Sequence, residues 1–379
     1  MTKDKKTTAC AAAEQRWNNG GKEIYEAFQN NPEFIHSPEY KKYMEDLEKE
    51  ETYHEDDKEG LRIFLRQQSD EEKTNAEELG LNRSDMDNWE NNEEWIAKIG
   101  GLTWNNQSPK RLIEISWTKK NLIEILNASK WTELTKLNCF ANELTALDVS
   151  ANLKLKELYC AVNLFNVLDV SANTELEILY CDQLQLTTLN VRANTKLTTL
   201  HCYLNELTTL DVSANTELTD LKCFGNQLTA LDVSANTKLK RLYCATNPLT
   251  ALDVSANTEL VFLNCDCNKL TTLDVRANTK LTWLACAINK LTALDVGANT
   301  ELVFLNCDCN QLTTLDVSAN TKLTRLDCNK NKLTELDVKT NTKLESINCS
   351  LNELTKLDVS ANTKLTHFRI GLTFVRIRK

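Results

Sequence analysis

The amino-acid sequence predicts a mainly β solenoid, with two short parallel strands in each coil, preceded by an all-α domain. A 21-residue repeat runs from residue 134 to residue 364. The 379 residues include only 9 Gly and 4 Pro, and helix-start motifs are confined to residues 1–111. Most folds turn corners with Gly and Pro, so their scarcity predicts a uniform architecture that makes its turns differently.

The repeat reads LxxLxCxxNxLTxLDVSANTx and occurs eleven times. Positions 1 and 14 are always Leu, position 6 is always Cys and position 16 is always Val. The runs LxxLxC and LxxLDV each alternate with period two over their last three positions, which is typical of strands. Each repeat is therefore expected to form one coil whose strands pair with the next coil at about 4.8 Å. A degenerate coil precedes the repeats, which extends the predicted solenoid to residues 112–364.

Asparagine is predicted to replace glycine at the turns. Position 9 is Asn in ten copies, with Leu184 as the exception, and position 19 is Asn in all eleven. An Asn amide can bond the backbone of its own turn and of the next coil, and Asn tolerates the left-handed conformation. Two stacked rows of Asn are therefore expected along the solenoid.

LxxLxCxxNxL resembles the highly regular segment of leucine-rich repeats, with Cys in a buried aliphatic position. The 21-residue length and the second half, LTxLDVSANT, look like the nested bacterial class of that family. The stretch from Glu59 to Trp104 is similar to the helical N-terminal cap of bacterial surface proteins with such repeats. The resemblance implies a binding scaffold but names no ligand. It favours a cell-surface or secreted protein, although residues 1–20 show no secretion signal, so the compartment stays open.

The N-terminal part carries helix-start motifs instead of the repeat. These motifs are Ser37 with Pro38, Ser69 with Glu72, and Ser84 with Asp87. Helices are expected near residues 21–30, 37–53, 57–67, 71–79 and 84–98.

Four regions are predicted from these patterns. Residues 1–20 are a disordered or processed N-terminus, 21–111 a helical cap domain, 112–364 the solenoid and 365–379 a C-terminal cap strand. A solenoid has open hydrophobic ends, so the Trp-rich helical domain is expected to cover the first coil. The alternating residues after Leu365 are expected to pair with the last coil.

Composition excludes several functional classes. The net charge is −10 and no Lys/Arg cluster is present, so nucleic acid is not an expected partner. No apolar run approaches the length of a membrane span. The four His are far apart in the sequence, and no Ser/His/Asp grouping, phosphate-binding loop or paired-His motif occurs. We therefore expect a monomer that is not an enzyme and needs no cofactor.

The Cys and Asp positions each leave an alternative open. Cys at position 6 could in principle bind metal or form disulfides, but the 21-residue spacing favours small buried hydrophobic side chains. Cys267 and Cys309 lie at position 8 and are expected to be partly exposed. Asp at position 15 is expected to accept hydrogen bonds within its own turn, with calcium binding as the alternative. No metal site is predicted.

Positions 3, 5 and 7 of the first strand point outward and are expected to form the inner face of the solenoid. Nine of the ten aromatic residues in the repeats occupy these positions, whereas the outward positions of the second strand hold none. The predicted ligand-binding face consists of Phe140, Tyr159, Tyr180, His201, Tyr203, Phe224, Tyr243, Phe262, Trp283, Phe304, Arg241 and Arg325. Aromatic residues mixed with charge are typical of binding hot spots, although exposed strands also favour aromatic residues.

The sequence thus predicts a non-catalytic scaffold that binds a macromolecule through this face. A protein partner is favoured, in protein–protein interaction or adhesion. Rows of Tyr, Trp and Phe also stack on sugar rings, so a carbohydrate-binding surface protein is the alternative. A purely structural spacer is the third hypothesis.

Overall fold

The computed structural model describes residues 53–68, 73–89, 93–369 and 376–378, together with Pro38 and Lys41. The chain folds as two compact units. One unit comprises residues 56–104 and 112–379, and the other comprises the residues up to 55 and residues 105–111. Among the described residues, no helix is long and apolar enough to cross a bilayer.

Four helices are described in the N-terminal part. They are α1 (Glu55–Leu65), α2 (Asn75–Glu78), α3 (Arg83–Asn88) and α4 (Glu94–Lys98). The first corresponds to the helix expected near residues 57–67, the second to 71–79, and the last two to 84–98. The helix expected near 21–30, nearly all of the one near 37–53, and the motif of Ser69 with Glu72 lie outside the described residues.

The cap of α3 lies two residues earlier than the sequence motif predicted. Asn82 Oδ1 accepts the backbone N–H of Asp85 at 3.0 Å, and the Asp85 carboxylate accepts that of Asn82 at 3.1 Å. Ser84 instead donates its hydroxyl to Asn82 Oδ1 at 2.7 Å. The prediction of Ser84 and Asp87 as the capping pair was wrong, because Asn caps as well as Ser and the nearby Asn82 took the role.

The main sheet contains fourteen described strands. Their order is β1, β2, β4, then β6 through β15 in sequence, and finally β17. Only β1 and β2 pair antiparallel; all other neighbours in this sheet are parallel and in register. The strands of this sheet are β1 (Leu102–Trp104), β2 (Leu112–Ser116), β4 (Lys136–Asn138), β6 (Glu157–Tyr159), β7 (Ile178–Tyr180), β8 (Thr199–His201), β9 (Asp220–Lys222), β10 (Arg241–Tyr243), β11 (Phe262–Asn264), β12 (Trp283–Ala285), β13 (Phe304–Asn306), β14 (Arg325–Asp327), β15 (Ser346–Asn348) and β17 (His367–Arg369). The chain therefore forms a β solenoid, as predicted.

The second half of each coil forms regular strands only near the two ends of the described solenoid. These strands are β3 (Ile123–Asn127) with β5 (Glu143–Asp148), and β16 (Lys356–Asp358) with β18 (Arg376–Arg378). Between them, successive coils keep a sparser backbone contact, such as the 2.9 Å bond from Glu206 N to Leu186 O. The second strand expected in each coil is therefore a less regular extended segment in the middle coils.

The core consists of the inward repeat positions. In strand β10 the central Leu242 is fully buried, and the following Cys244 is also buried. Val at position 16 is buried in every repeat. Each such Leu or Val contributes roughly 1.5–3 kcal/mol of hydrophobic stabilisation, so stacked coils supply the core that a single coil lacks.

Two rows of Asn join neighbouring coils, as predicted. At position 9, Asn226 donates through Nδ2 to Cys202 O and Cys223 O, both at 3.0 Å, and accepts Leu207 N–H at 3.0 Å. At position 19, each Asn donates to two carbonyls of the preceding coil. Where Leu184 interrupts the first row, Asn205 accepts two backbone N–H groups at 3.0 Å each.

The left-handed residue of each coil is not the Asn but the residue before it. Position 8 has a positive φ in all eleven repeats, from Ala141 to Leu351, and only Gly225 is a glycine. The expectation that Asn would adopt this conformation was wrong. The Asn side chain is fixed by its bonds to the backbone, so the turn is completed one residue earlier.

Aromatic residues connect the N-terminal helices with the first coils. Phe64 of α1 stacks on Trp117 with ring centroids 5.3 Å apart, and Trp117 meets Trp131 edge-on at 6.2 Å. Trp131 donates its indole N–H to Asp57 O at 3.1 Å, and the Asp57 carboxylate accepts Leu112 N–H at 2.8 Å. The described helices thus cover the first coil with apolar and hydrogen-bonded contacts.

Candidate binding face

The candidate binding face, called the aromatic face here, consists of the side chains at positions 3, 5 and 7 between Phe140 and Arg325. In β10 the central Leu242 points into the core, while Arg241 is exposed and Tyr243 is half-buried. Parallel in-register pairing places equivalent positions of adjacent coils side by side. Rings at one position are therefore held about one strand spacing, ~4.8 Å, apart.

The first aromatic stack runs along position 5. Tyr159 meets Tyr180 edge-on with centroids 4.9 Å apart, and Tyr180 stacks on the His201 ring at 4.0 Å. Lys136 lies over the outer face of this stack, with Nζ 5.4 Å from the Tyr159 centroid, and pairs with Glu157 at 2.8 Å. The stack therefore begins at a cation.

The second stack starts at Tyr243 and continues along position 3. Tyr243 stacks on Phe262 at 4.4 Å, Phe262 on Trp283 at 5.6 Å, and Trp283 on Phe304 at 3.7 Å, with interplanar angles of 27°, 13° and 14°. The Arg325 guanidinium lies 5.4 Å from the Phe304 centroid. Four rings in four consecutive coils therefore form one continuous stack that ends at a cation.

A third group of rings lies at position 7. Tyr203 stacks on Phe224 with centroids 4.4 Å apart and planes 8° from parallel. Lys222 places its Nζ 5.1 Å from the Tyr243 centroid, between the two long stacks. Phe140, the first residue of the predicted face, is half-buried and lies outside these stacks. Nine of the ten ring-bearing residues of the predicted face thus contact another ring, in one group of five rings and one group of four.

Exposure differs strongly among these residues. Trp283 is 39% exposed, whereas His201 and Phe304 are only 6% and 8% exposed. Val261 and Val303, at position 2, directly precede Phe262 and Phe304 in the chain and are 37% and 38% exposed. These two valines were not predicted, because only positions 3, 5 and 7 were expected to face outward. Trp283 and the two valines are thus exposed apolar side chains on three consecutive coils, with Trp283 on the middle one.

The two predicted arginines form ion pairs on the face. Arg241 donates from Nε to Asp220 Oδ2 at 2.7 Å, and Arg325 donates from Nε to Asp327 Oδ2 at 2.7 Å. Burial works to raise the pKa of Asp220, but the neighbouring His201 and Arg241 hold it below its ordinary value. The arginines are therefore fixed in position while their side chains stay exposed.

The tyrosines of the face are neutral hydroxyl donors at physiological pH. Burial raises the pKa of Tyr159 to about 12, assisted by its hydrogen bond to Glu157, and raises that of Tyr203 to about 12 beside Asp182. Burial also raises the pKa of Tyr180 and Tyr243. The face thus offers apolar rings with polar edges.

Solved structures of bacterial proteins are similar to this architecture. The functional domain of InlJ from Listeria monocytogenes, which includes a cysteine ladder, is 40% identical, with 76% of this chain and 66% of that chain covered and a TM-score of 0.62. The internalin InlF from the same species is 22% identical, with 86% and 90% covered and a TM-score of 0.61. YopM, a leucine-rich effector protein from Yersinia pestis, is 22% identical, with 65% and 78% covered and a TM-score of 0.52. No family model and no curated protein matches the sequence.

The chain is a leucine-rich repeat protein. Its repeats pair as the sequence resemblance implied. The similarity to InlJ extends to the sequence, with 40% identity over the aligned residues. The chain spans 66% of the InlJ chain, just under two thirds of it. At 22% identity, InlF and YopM show the fold alone.

The cysteines of this leucine-rich repeat protein belong to the core. All eleven at position 6 are buried free thiols, and several donate a weak hydrogen bond to the next coil, as Cys160 Sγ does to Tyr180 O at 3.4 Å. Burial raises the pKa of Cys139 to about 12. Cys267 and Cys309 at position 8 are partly exposed, as predicted. Across the described residues, no three His, Cys, Asp or Glu side chains are grouped as a metal site.

The Asp residues at position 15 accept hydrogen bonds within their own turns. Asp211 Oδ1 accepts the backbone N–H of Ser213 at 3.0 Å and its hydroxyl at 2.6 Å. A groove of about 1170 Å³ lies on this side of the last repeats, lined by Leu, Thr, Ala, Asp, Glu and Lys side chains. It contains no aromatic ring, so it differs chemically from the aromatic face.

Proposed function

We propose that this leucine-rich repeat protein is a non-catalytic scaffold that binds a protein partner through the aromatic face. The observation that carries the proposal is the exposure of Trp283 and two valines on three consecutive coils, between two arginines that are fixed by ion pairs. Trp, Tyr and Arg dominate the energy of protein interfaces, and they act best at the centre of an apolar patch with a polar rim. Trp283 is the proposed centre, and Arg241 and Arg325 belong to the rim.

The orientation of the rings favours protein over carbohydrate. A sugar ring binds an aromatic side chain by lying against its free face. In the second stack the faces of Phe262, Trp283 and Phe304 are turned toward one another at centroid distances of 3.7–5.6 Å. Ring edges and aliphatic side chains are left for a ligand, which suits the mixed side chains of a protein surface.

The two other hypotheses make different demands on the same residues. A carbohydrate-binding function remains the alternative because the Tyr hydroxyls and Arg side chains offer hydrogen bonds to sugars. A structural spacer would need the coils but not an exposed Trp. Adhesion at a cell surface, which the sequence resemblance favours, is part of our proposal for the protein-binding role.

Binding assays with a triple variant distinguish the three functions. Tyr180, Tyr243 and Trp283 are replaced by Ala, and the intact chain and the variant are compared on candidate protein partners and on a glycan array. Val167→Ala is the matched control, because Val167 is 74% exposed and lies outside the aromatic face. We expect a protein partner that binds the intact chain and the control but not the triple variant.

The opposite results are equally specific. Glycan-array signals that the intact chain gives and the triple variant loses would establish the carbohydrate function instead. Protein partners that bind all three proteins equally would remove the aromatic face from the interaction, as the spacer hypothesis expects for this face. Thermal melts of each variant show whether lost binding reflects lost folding.

A further inference from the structure

Three buried polar side chains lie on consecutive coils around the His201 end of the first stack. Asp182, His201 and Asp220 are 2%, 6% and 4% exposed. Each has one buried atom without a hydrogen-bond partner, namely Asp182 Oδ2, His201 Nε2 and Asp220 Oδ1. A buried polar atom without a hydrogen-bond partner lowers the stability of the folded state, so the presence of three in one cluster requires an explanation.

The distances show how one proton would satisfy part of the cluster. His201 Nε2 lies 3.8 Å from Asp220 Oδ1, slightly beyond hydrogen-bond range. The other oxygen of Asp220 is held by Arg241 at 2.7 Å. An unprotonated Nε2 and a carboxylate oxygen are both acceptors and repel, whereas a protonated Nε2 donates a charge-assisted hydrogen bond.

Charged groups surround the His201 ring. Two carboxylates, Asp182 and Asp220, lie beside the ring. Burial raises the pKa of Asp182, although a hydrogen bond from Tyr203 works in the opposite direction. The nearby cations are already engaged: Arg241 holds Asp220, and Lys222, the register neighbour of His201, lies over the Tyr243 ring. Tyr180 and Tyr203 complete the surroundings.

We propose that His201 is a proton-operated switch within the aromatic face. Gain of a proton from water at Nε2 closes the gap to Asp220 Oδ1 and attracts Asp182. The His201 ring, stacked on Tyr180 at 4.0 Å and tilted against Tyr203 at 6.4 Å, transmits this change to the surface. The three unpartnered atoms are buried, so a partner side chain cannot reach them, whereas a proton can. Histidine is suited to this role because its charge changes between about pH 5 and 8.

Any effect of the switch on partner binding rests on the proposed function, but the switch itself does not. It is therefore tested on the full chain without a partner. Long-range ¹H–¹⁵N NMR spectra of labelled histidine report the protonation of Nε2, and ¹³C-labelled tyrosine rings report the surface. The chain has four His and eight Tyr, so single variants suffice for assignment.

We expect the Tyr180 and Tyr203 ring resonances to move with the same midpoint as His201 Nε2 on titration from about pH 8 to about pH 5. In His201→Phe, which keeps a ring against Tyr180, these movements should vanish. His201→Gln, whose amide donates at any pH, should also abolish them.

Three results would overturn the switch. These are a His201 ring that keeps one charge state across the range, tyrosine resonances that stay fixed while His201 titrates, and tyrosine movements that persist in a folded His201→Phe chain. The last result would assign the titration to Asp182. A confirmed titration leaves the switch standing even if the binding assays described above refute the proposed protein-binding function.

Discussion

Trp283 lies almost flat against Phe304, with ring centroids 3.7 Å apart and planes 14° from parallel. The two residues are register partners in β12 and β13, 21 positions apart in the sequence. The stacking is therefore a direct consequence of the repeat length, because the parallel strands hold the two residues side by side. The ring that ends up outermost is Trp283, which is 39% exposed, against 8% for Phe304.

Removal of the Trp283 ring should weaken the fold measurably. Trp283→Ala loses the contacts with Phe262 and Phe304, and each aromatic pair contributes about 0.5–1.5 kcal/mol beyond its buried area. We expect the free energy of unfolding, measured with urea, to fall by about 1–3 kcal/mol, and Trp283→Phe to recover most of it. Equal stability of the Ala and Phe variants would show that the stack contributes nothing to folding.

Substitution in the position-9 Asn row should lower the free energy of unfolding more than removal of the Trp283 ring does. Asn226→Ala removes two bonds to Cys202 O and Cys223 O and leaves Leu207 N–H without its acceptor. Each buried backbone group left unsatisfied costs roughly 1–3 kcal/mol, so a loss of at least about 3 kcal/mol is expected in urea unfolding. Gln227→Ala, an exposed neighbour in the same turn, is the control and should change stability little. A comparable effect of both variants would contradict a structural role for the row.

Several features of the fold could be predicted because the same residue type recurs at the same position of each repeat. Leu, Val and Cys recur at fixed inward positions, so the coils, the core and the Asn rows follow from the period. The left-handed residue could not be predicted, because position 8 holds residues as different as Ala141, Gln183, Ile288 and Lys330. The backbone, constrained by the neighbouring Asn, determines that conformation whatever the side chain.

The outward direction of positions 3, 5 and 7 could also be predicted, but not the burial of the side chains there. His201 occupies the same position as the half-buried Tyr180, yet it is buried between Tyr180, Tyr203 and the carboxylate of Asp220. Phe304 is likewise covered by Trp283 and Arg325. Burial at one position depends on the side chains of the adjacent coils, which a position-by-position comparison of repeats does not consider. The buried cluster of Asp182, His201 and Asp220 could therefore be found only in the structure.

Glycine at a strained position 8 should stabilise the protein. Ile288 has φ +54° and is 54% exposed, and a β-branched residue in this conformation costs roughly 1–2 kcal/mol. Ile288→Gly and Ile288→Ala remove similar side-chain contacts, but only Gly removes the Cβ conflict. We expect the Gly variant to be about 1 kcal/mol more stable than the Ala variant in urea unfolding. An Ala variant as stable as the Gly variant would mean that the turn carries no strain.

Acid should weaken the protein through the Asp residues at position 15. Hydrogen bonds from Ser213 hold the pKa of Asp211 at about 2, and those from Arg276 hold the pKa of Asp274 at about 2. A carboxyl whose pKa is lowered by folding stabilises the native state above its unfolded value, about 3.9, and loses that contribution as the pH falls toward the folded value. The melting temperature should therefore decline between about pH 4 and about pH 2.

Asparagine provides the control for this decline, because Asn190 already accepts Arg192 N–H at 3.2 Å at the same repeat position. A chain with Asp211→Asn and Asp274→Asn should keep its turns and show a shallower loss of melting temperature in acid. An unchanged acid profile would assign the effect to other carboxyls. Calcium or a chelator should leave the melting temperature at neutral pH unchanged, and an increase with calcium would instead support the cation alternative.

Native thiol labelling should separate two classes of cysteine. Burial raises the pKa of Cys139 to about 12 and that of Cys349 to about 11, and thiolates are the reactive form, so position-6 cysteines should react with iodoacetamide only after unfolding. Cys267 and Cys309 are partly exposed and should react in the folded chain. Partial burial and the adjacent Asp266 raise the pKa of Cys267, so its labelling should accelerate as the pH rises. Mass spectrometry of peptides identifies the labelled residues, and a chain with Ser at both positions controls for label elsewhere. Rapid native labelling of position-6 cysteines would mean that the coils open locally and that these thiols do not belong to a closed core.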